Sequence, residues 1–435
     1  MSEDRLEDNE LLTSFLNHTF FETWADMKNG LPNFQHLEFI VDTRCNLNCT
    51  YCYYARYGDQ LYPQELQDPA VIMSNLDLVL DWLVKRQFVP HIEVFSGEPF
   101  FGETGYRVLH RILDRFELVD KKPPSIVVPT NYTFILRDEM IQKVEELLIR
   151  GRAVGIPITL SASIDGKYCE ANRPFKRESD SRDDAYYDKV FAFSKKWGFS
   201  FHPMIYSQHI SDWKVNFLWF QAMLKKYDIP WSNIYLLEVR NAEWAAHDIE
   251  EYGRFIEFLT RWAFDMCRRD KEQFVDFIFK SGFNTLKSAL STVGRGLGCS
   301  IQSTFHLRLG DLAIVPCHRL SYPQFVTGHL EVENNQIAGV RAHNVELYLA
   351  IESLDGKNMP FCETCLIRSL CSLCCLGSNF ETMGDLFSPI PSVCQLEHCR
   401  VRSMINVFED LGVLSMLLGR VSSEKAQAIG QVLAL

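Results

Sequence analysis

Six short apolar runs divide the first half of the chain: HLEFIVD at 36–42, HIEVFS at 91–96, SIVVPT at 125–130, ITLSASI at 158–164, SFHPMIY at 200–206 and IYLLEV at 234–239. Their β-branched and aromatic content predicts strands. Between them, apolar positions recur at helical spacing over Val71–Lys85, Tyr106–Phe116, Asp138–Arg150, Asp184–Lys196 and Val215–Tyr227. Strands alternating with helices imply right-handed βαβ units and a parallel sheet. Six such units predict an α/β fold, an open partial (β/α)6 barrel of the TIM-like kind rather than a closed eight-stranded one. Its active site is expected at the C-terminal ends of the strands.

The chemistry-bearing residues fall at those ends. The first strand runs into VDTRCNLNCTYCYY, which places Cys45, Cys49 and Cys52 in a C-x3-C-x2-C run. Three thiolates at this spacing can hold three irons of a [4Fe–4S] cube and leave the fourth without a protein ligand, whereas most four-iron clusters take four cysteines. A zinc knuckle would want four ligands in paired spacings, and no Cys or His follows Cys52 before His91. After the second strand comes Ser96-Gly97-Glu98-Pro99. Glycine there allows close backbone approach, and the carboxylate can face a cation. The third strand ends Thr130-Asn131, and the fourth runs into Ser163-Ile164-Asp165-Gly166, with Asn172-Arg173 soon after.

The cysteine run, with Tyr51 between its last two cysteines, resembles the signature of radical S-adenosylmethionine (radical SAM) enzymes. Ser96-Gly97-Glu98-Pro99 resembles that family's GGEP motif with serine in the first glycine position. The resemblance covers about residues 36–245. It implies a [4Fe–4S] cluster whose open iron binds the amino and carboxylate groups of SAM, with Tyr51, Ser96, Gly97, Glu98, Pro99 and Asn131 around the cofactor. It further implies Ser163 and Asp165 at the ribose and Arg173 at the carboxylate. Without it, S-I-D-G is a turn that ends a strand. Reduction by a donor such as flavodoxin or ferredoxin would cleave SAM to methionine and a 5′-deoxyadenosyl radical, which takes hydrogen from an unactivated carbon.

A second group of cysteines follows a helical linker (Glu250–Asp270, Glu272–Leu290): Cys299, Cys317, then Cys362, Cys365, Cys371, Cys374, Cys375, Cys394 and Cys399. C-x2-C followed by two later cysteines also suits a zinc ribbon. Cys362-x2-Cys365-x5-Cys371-x3-Cys375 resembles the SPASM extension of peptide-modifying radical SAM enzymes, which holds two auxiliary [4Fe–4S] clusters. Carried over, Cys362, Cys365, Cys371 and Cys394 would hold one, and Cys299, Cys317 and Cys375 the other. Cys374 competes with Cys375, and Cys399 with Cys394. No cysteine lies between Cys299 and Cys317, so the second cluster is left with three ligands and an open iron, or with Cys374 or a non-cysteine group. Cys169 and Cys267 have no sequence partners and suit small buried apolar positions.

Composition narrows the remainder. Net charge is −12, against the basic stripe that nucleic-acid binding needs, and no apolar run is long enough to span a membrane. With 14 cysteines and no export signal, a disulfide scaffold gives way to metal or cluster ligation and a cytoplasmic setting. The domains expected are a helical extension over 1–35, the barrel over 36–245, a helical linker over 246–295, a cysteine-rich auxiliary-cluster domain over 296–400 and a helical cap over 401–435. The resemblance implies a ribosomally made precursor peptide as substrate, crosslinked oxidatively through C–C, ether or thioether bonds. Formylglycine formation and epimerisation are alternatives. Sulfatase maturases carry an aspartate immediately after an auxiliary cysteine, where this chain has His318. Catalytic candidates are His318, Glu238 and Arg240. About 35 residues precede the first strand, too few for a winged-helix recognition domain, so leader binding would fall to a separate protein, Leu11–Asp26 or Trp213–Tyr227.

Overall fold

The computed structural model describes residues 36–87, 89–177, 181–280, 283–287, 290, 301, 304–352, 354, 359, 361–371 and 375–434. Strands run in chain order as His36–Ile40 (β1), His91–Phe95 (β2), Ile126–Thr130 (β3), Ile158–Ala162 (β4), Ser200–Phe201 (β5), Met204–Ile205 (β6), Leu237–Glu238 (β7), Thr304–Arg308 (β8), Ala313–Val315 (β9), Gly328–Glu333 (β10) and Gln336–Ala342 (β11). The chain divides into two compact units. One comprises the described residues within Met1–Ala162, Phe175–Val190 and Ser300–Ser353; the other those within Ser163–Pro174, Phe191–Cys299 and Leu354–Leu435.

In the first unit the strands are ordered β11-β10-β9-β8-β1-β2-β3-β4. β1 to β4 pair in parallel, as the alternation predicts, and β8 adds in parallel on the other side of β1. The strand ends that should carry chemistry therefore lie side by side. The helix Pro69–Lys85 begins with Asp68 accepting the Ala70 N–H at 2.8 Å and proline at its first position, both favoured starts. Its buried Ile72, Leu76, Val79, Leu80 and Leu83 repeat at three and four residues. Leu76 is fully buried, so Leu76→Ala would cost about 2–5 kcal/mol.

The strands β8 to β11 were not anticipated: sequence reasoning grouped them with the cysteine-rich region. Every residue of β8 is buried, including Thr304, His306 and Arg308, so its alternation of polar and apolar residues does not mark an exposed face. Arg308 is accommodated by Asp311 at 2.6 Å and by the carbonyls of Leu61 and Ser321. β10 and β11 are joined through Asn334-Asn335, both at positive φ, the backbone that two-residue hairpins require.

In the second unit the run at 200–206 breaks into β5 and β6. Pro203 lies between them and has no N–H for a ladder. β6 pairs in parallel with β7. Helices Trp213–Lys226, Ala246–Met266 and Lys271–Lys280 enclose an aromatic core in which Phe217 meets Trp262 at 5.0 Å and Phe283 at 5.7 Å. The cap expected over 401–435 starts earlier, as the helix Pro391–Asp410, and continues through Leu414–Leu418 and Ser423–Leu433. Among the described residues no helix is long and apolar enough to cross a membrane.

Candidate active site

The loop leaving β1 is built around the buried carboxylate of Asp42. It accepts the Ser96 hydroxyl at 2.6 Å, the Arg44 N–H at 3.2 Å, and Arg44 Nε and Nη2 at 2.9 and 2.5 Å. Serine thus has a reason to stand at position 96: its hydroxyl ties the end of β2 to the end of β1. Gly97 donates to the Asp42 carbonyl at 3.0 Å, and Glu98 to the Arg44 carbonyl at 2.7 Å. A Cβ on Gly97 would lie 2.3 Å from the Arg44 oxygen, so only glycine fits. The Glu98 carboxylate accepts Thr130 Oγ1 at 2.7 Å and the Asn131 N–H at 2.6 Å. In this structure it locks the end of β3 to that of β2.

That lock places Asn131 beside the cysteines. Its Nδ2 lies 3.6 Å from Cys45 Sγ and 2.9 Å from Asn46 Oδ1, while its Oδ1 accepts from Thr133. The Leu47 N–H points at Cys45 Sγ from 3.4 Å, and Cys52 N–H closes a turn on the Cys49 carbonyl at 3.0 Å. Cys52 is the N-cap of the helix Tyr53–Leu61, with no side-chain capping bond. All three cysteines are half-buried, and Tyr51 lies among them in the same turn. Pro99 follows as part of the close-packed turn: its carbonyl is 2.4 Å from where a Gly105 Cβ would sit.

His318 lies in the same unit. Its Nδ1 is 3.0 and 3.1 Å from the two oxygens of Glu38 on β1, and its ring stacks on Phe95 at 4.1 Å and on Tyr53 at 5.9 Å. In register, Glu38 stands opposite Glu93 on β2 and His306 on β8. Burial pushes the Glu38 carboxyl up, but the His318 and His306 imidazoles outweigh it and hold the group below its usual value. Burial, with Glu38 adding to it, pushes Glu93 up to about 7. His306 is pushed down to about 4 by burial. Cys317, half-buried, immediately precedes His318.

The second unit holds a separate cysteine site. Cys362, Cys365, Cys371 and Cys394 line one cleft of about 490 Å³, part of it open to solvent. Glu397 and His398 share the lining, and His398 Nε2 is 3.4 Å from Cys365 Sγ. Cys399 does not line this cleft. Its thiol donates to the Ile249 carbonyl at 3.2 Å and packs over Gly253, where a Cβ would meet the sulfur at 2.7 Å. Cys375 is the N-cap of the helix Leu376–Met383. Cys299 and Cys374 lie outside the described residues, as does Leu11–Asp26.

Other predicted residues have partners within the second unit. Glu238 is buried and accepts the Tyr252 hydroxyl at 2.5 Å. Arg240 is half-buried; burial works against its charge, but Glu397 and Glu238 hold it positive. Asp165 is fully buried and accepts the Met204 N–H at 3.0 Å. Arg173 lies 3.9 Å from Asp165 and 3.6 Å from Glu170. Ser163 is half-buried at the end of the β4 loop. Cys169 is fully buried, its thiol pushed well up by burial and by Asp165. Sequence reasoning missed Asp42, Arg44, Glu38, His306 and Phe95. The strand positions of Glu38 and His306, polar residues inside apolar runs, were the available signal.

No protein-family model matches the chain, and no curated protein matches it. Solved structures do. One described as histidine-tagged anSMEcpe with bound AdoMet, an anaerobic sulfatase-maturating enzyme, has a TM-score of 0.57 at 16% identity, covering 91% of this chain and 98% of that one. Native anSMEcpe with bound AdoMet and Kp18Cys peptide gives 0.57 at 16% identity over 88% and 99%. SuiB from Streptococcus suis, bound to S-adenosylmethionine, gives 0.46 at 14% identity over 85% and 79%. At these identities the likeness to anSMEcpe is one of fold.

Proposed function

We propose that this chain is a radical SAM enzyme that modifies a peptide, with Cys45, Cys49 and Cys52 holding the [4Fe–4S] cluster that binds SAM. The observation that carries this reading is the convergence of three strand ends on one cysteine turn. β1 supplies the thiols, β2 supplies Gly97, and β3 supplies the Asn131 amide beside Cys45. The residues fit a cluster. Cys45 Sγ faces a backbone N–H and an amide N–H, Cys52 caps a helix, and the three cysteines follow one strand within eight residues with no disulfide between them. When bound and reduced, the cluster–SAM pair supplies a carbon-centred radical able to take hydrogen from an unactivated C–H bond.

The protein's part is to bind, orient and shield. Gly97 lets the backbone after β2 press against the cysteine loop, and Asp42 and Glu98 hold the three strand ends in register. We assign Cys362, Cys365, Cys371 and Cys394 to an auxiliary [4Fe–4S] cluster, because all four line one cleft. Four thiolates leave no iron open, which suits a group that passes electrons. A chain that carries an electron acceptor as well as a radical centre favours a net oxidation, and we read the product as an oxidative crosslink within a precursor peptide. A reductant of the flavodoxin or ferredoxin class completes the system.

Formylglycine formation is the second reading, supported by the fold shared with anSMEcpe. Histidine rather than aspartate after Cys317 weighs against it. The test is anaerobic reconstitution followed by SAM and dithionite, with chromatography for 5′-deoxyadenosine. A precursor peptide that loses two hydrogens and gains no aldehyde that an aldehyde-specific reagent captures supports the crosslink; conversion of a cysteine or serine to an aldehyde supports the second reading. Protein that carries clusters yet never releases 5′-deoxyadenosine overturns both.

A further inference from the structure

We infer that Glu38, His306 and His318 form a binding site for one divalent transition-metal ion, built without a cysteine ligand. The three residues each present a ligand atom, and these atoms lie within 4.8 Å of one another. Bonds from such ions to imidazole nitrogen and carboxylate oxygen are about 2.0–2.2 Å. Ligand atoms on opposite sides of one ion then stand about 4.2 Å apart, and adjacent ones about 3 Å. Closing the cluster around an ion therefore requires movements of well under an ångström at its widest pair.

The fold supplies the arrangement. Glu38 and His306 are directly opposite in the parallel β1–β8 ladder, so their side chains leave the sheet on one face. His318 arrives from the turn after β9 and is held flat against Phe95, with an interplanar angle of 6°. Its Nδ1 is nearly equidistant from both Glu38 oxygens, at 3.0 and 3.1 Å.

The protonation states suit ligation. His306 is 2% exposed, and its Nδ1 is buried without a hydrogen bond. Leaving such an atom unsatisfied is unfavourable, and coordination through it would offset that. Burial keeps His306 neutral, the form that ligates, and Glu38 is ionised although only 2% exposed. Glu38 supplies the negative charge of the site, and a bound divalent ion would meet it directly. Two histidines and one carboxylate suit iron(II), manganese(II), cobalt(II) and zinc(II), and leave open positions on the ion. Those positions would take an oxygen or nitrogen donor, such as a carboxylate or amide of a peptide. The site itself stands without the radical SAM reading.

The experiment uses the full chain with its clusters assembled anaerobically. Manganese(II) is added, and the free ion is counted by room-temperature EPR. Zinc(II) is counted separately by elemental analysis after desalting. Wild-type protein is expected to hold one ion per chain beyond its cluster metal, with electron-spin-echo modulation from imidazole nitrogens on the bound manganese. His306→Gln and Glu38→Gln are expected to lose that equivalent while keeping the wild-type iron content and circular dichroism. Wild type that takes up neither ion overturns the proposal. So does uptake without imidazole modulation, or uptake undiminished in folded variants. Cleavage of SAM can fail while this ion binds, so the two readings fail separately.

Discussion

The cysteine turn after β1 and the cysteine cleft of the second unit contain the same ligand atoms in opposite settings. The first is held by polar contacts from three strands: Asp42 to Ser96 and Arg44, Glu98 to Thr130 and Asn131. It offers three thiols. The second is lined by four, spaced along a turn-rich segment and completed by Cys394 on the helix Pro391–Asp410. Ligand count decides what a bound cube can do: three leave a position for a cofactor, and four close the cube. The surroundings follow the same division. Around the three-thiol site the protein holds strand ends in register. Around the closed one it supplies buried charge in Glu397 and Arg400.

The largest effect expected is a test of that division. Cys49→Ala should lose about one cluster of iron and reduce 5′-deoxyadenosine to background. Cys371→Ala should lose a similar amount of iron yet still cleave SAM, while failing to give modified peptide. Iron analysis and chromatography on the same preparations check both. If Cys371→Ala also abolishes SAM cleavage, the two cysteine regions are not separate in function.

The next effect is on stability and concerns the charged wall beside the cleft. Arg400 and Glu397 are 2% and 6% exposed and form an ion pair, and Arg400 also donates to the Thr285 carbonyl. Removing one member of a buried pair leaves the other charge uncompensated, at about 3–5 kcal/mol. Arg400→Met should lose about that much in urea unfolding, and Glu397→Gln in the same chain should restore part of it. Equal losses in the single and double variants would break the pairing argument.

Much of this was legible in the sequence, for a physical reason. Strands that bury at least every second residue read as short, mostly apolar runs, so the runs at 36–42, 91–96, 125–130 and 158–164 announced β1 to β4. The cysteines were legible because thiolate ligation fixes spacing. β8 was not, because His306 and Arg308 are buried polar residues facing Glu38 and the carbonyls of Leu61 and Ser321, which become neighbours only after folding. Asp42 was equally hidden. It is one acidic residue among 56, and its role exists only once β1 and β2 lie side by side. The break at Pro203 was readable and was passed over in favour of one strand.

A smaller effect sharpens the open site. Asn131 Nδ2 approaches Cys45 Sγ at 3.6 Å, and hydrogen bonds to cluster sulfurs raise reduction potentials. Asn131→Ala removes that donor, so the cluster held there should become harder to reduce. A hydrogen bond of about 1 kcal/mol corresponds to roughly 40 mV for a one-electron couple. An EPR-monitored titration should show a downward shift of that order, and no matching shift in the auxiliary cluster. A shift confined to the auxiliary signal would assign the spectra the other way round.

The smallest effect is expected at Cys399, and its smallness is what makes it informative. Spacing alone let Cys399 compete with Cys394 as the last ligand of the closed site. On the helix Pro391–Asp410 they are five residues apart, more than one turn and so on different faces. Cys394 faces the cleft; Cys399 packs over Gly253 and donates to Ile249. Cys399→Ala should therefore keep full iron content and lose only about 1 kcal/mol of packing and a weak sulfur hydrogen bond. Cys394→Ala should lose one cluster's iron. If the two results come out reversed, the helix presents its other face to the cleft, and the fourfold ligation that separates the closed site from the open one fails with it.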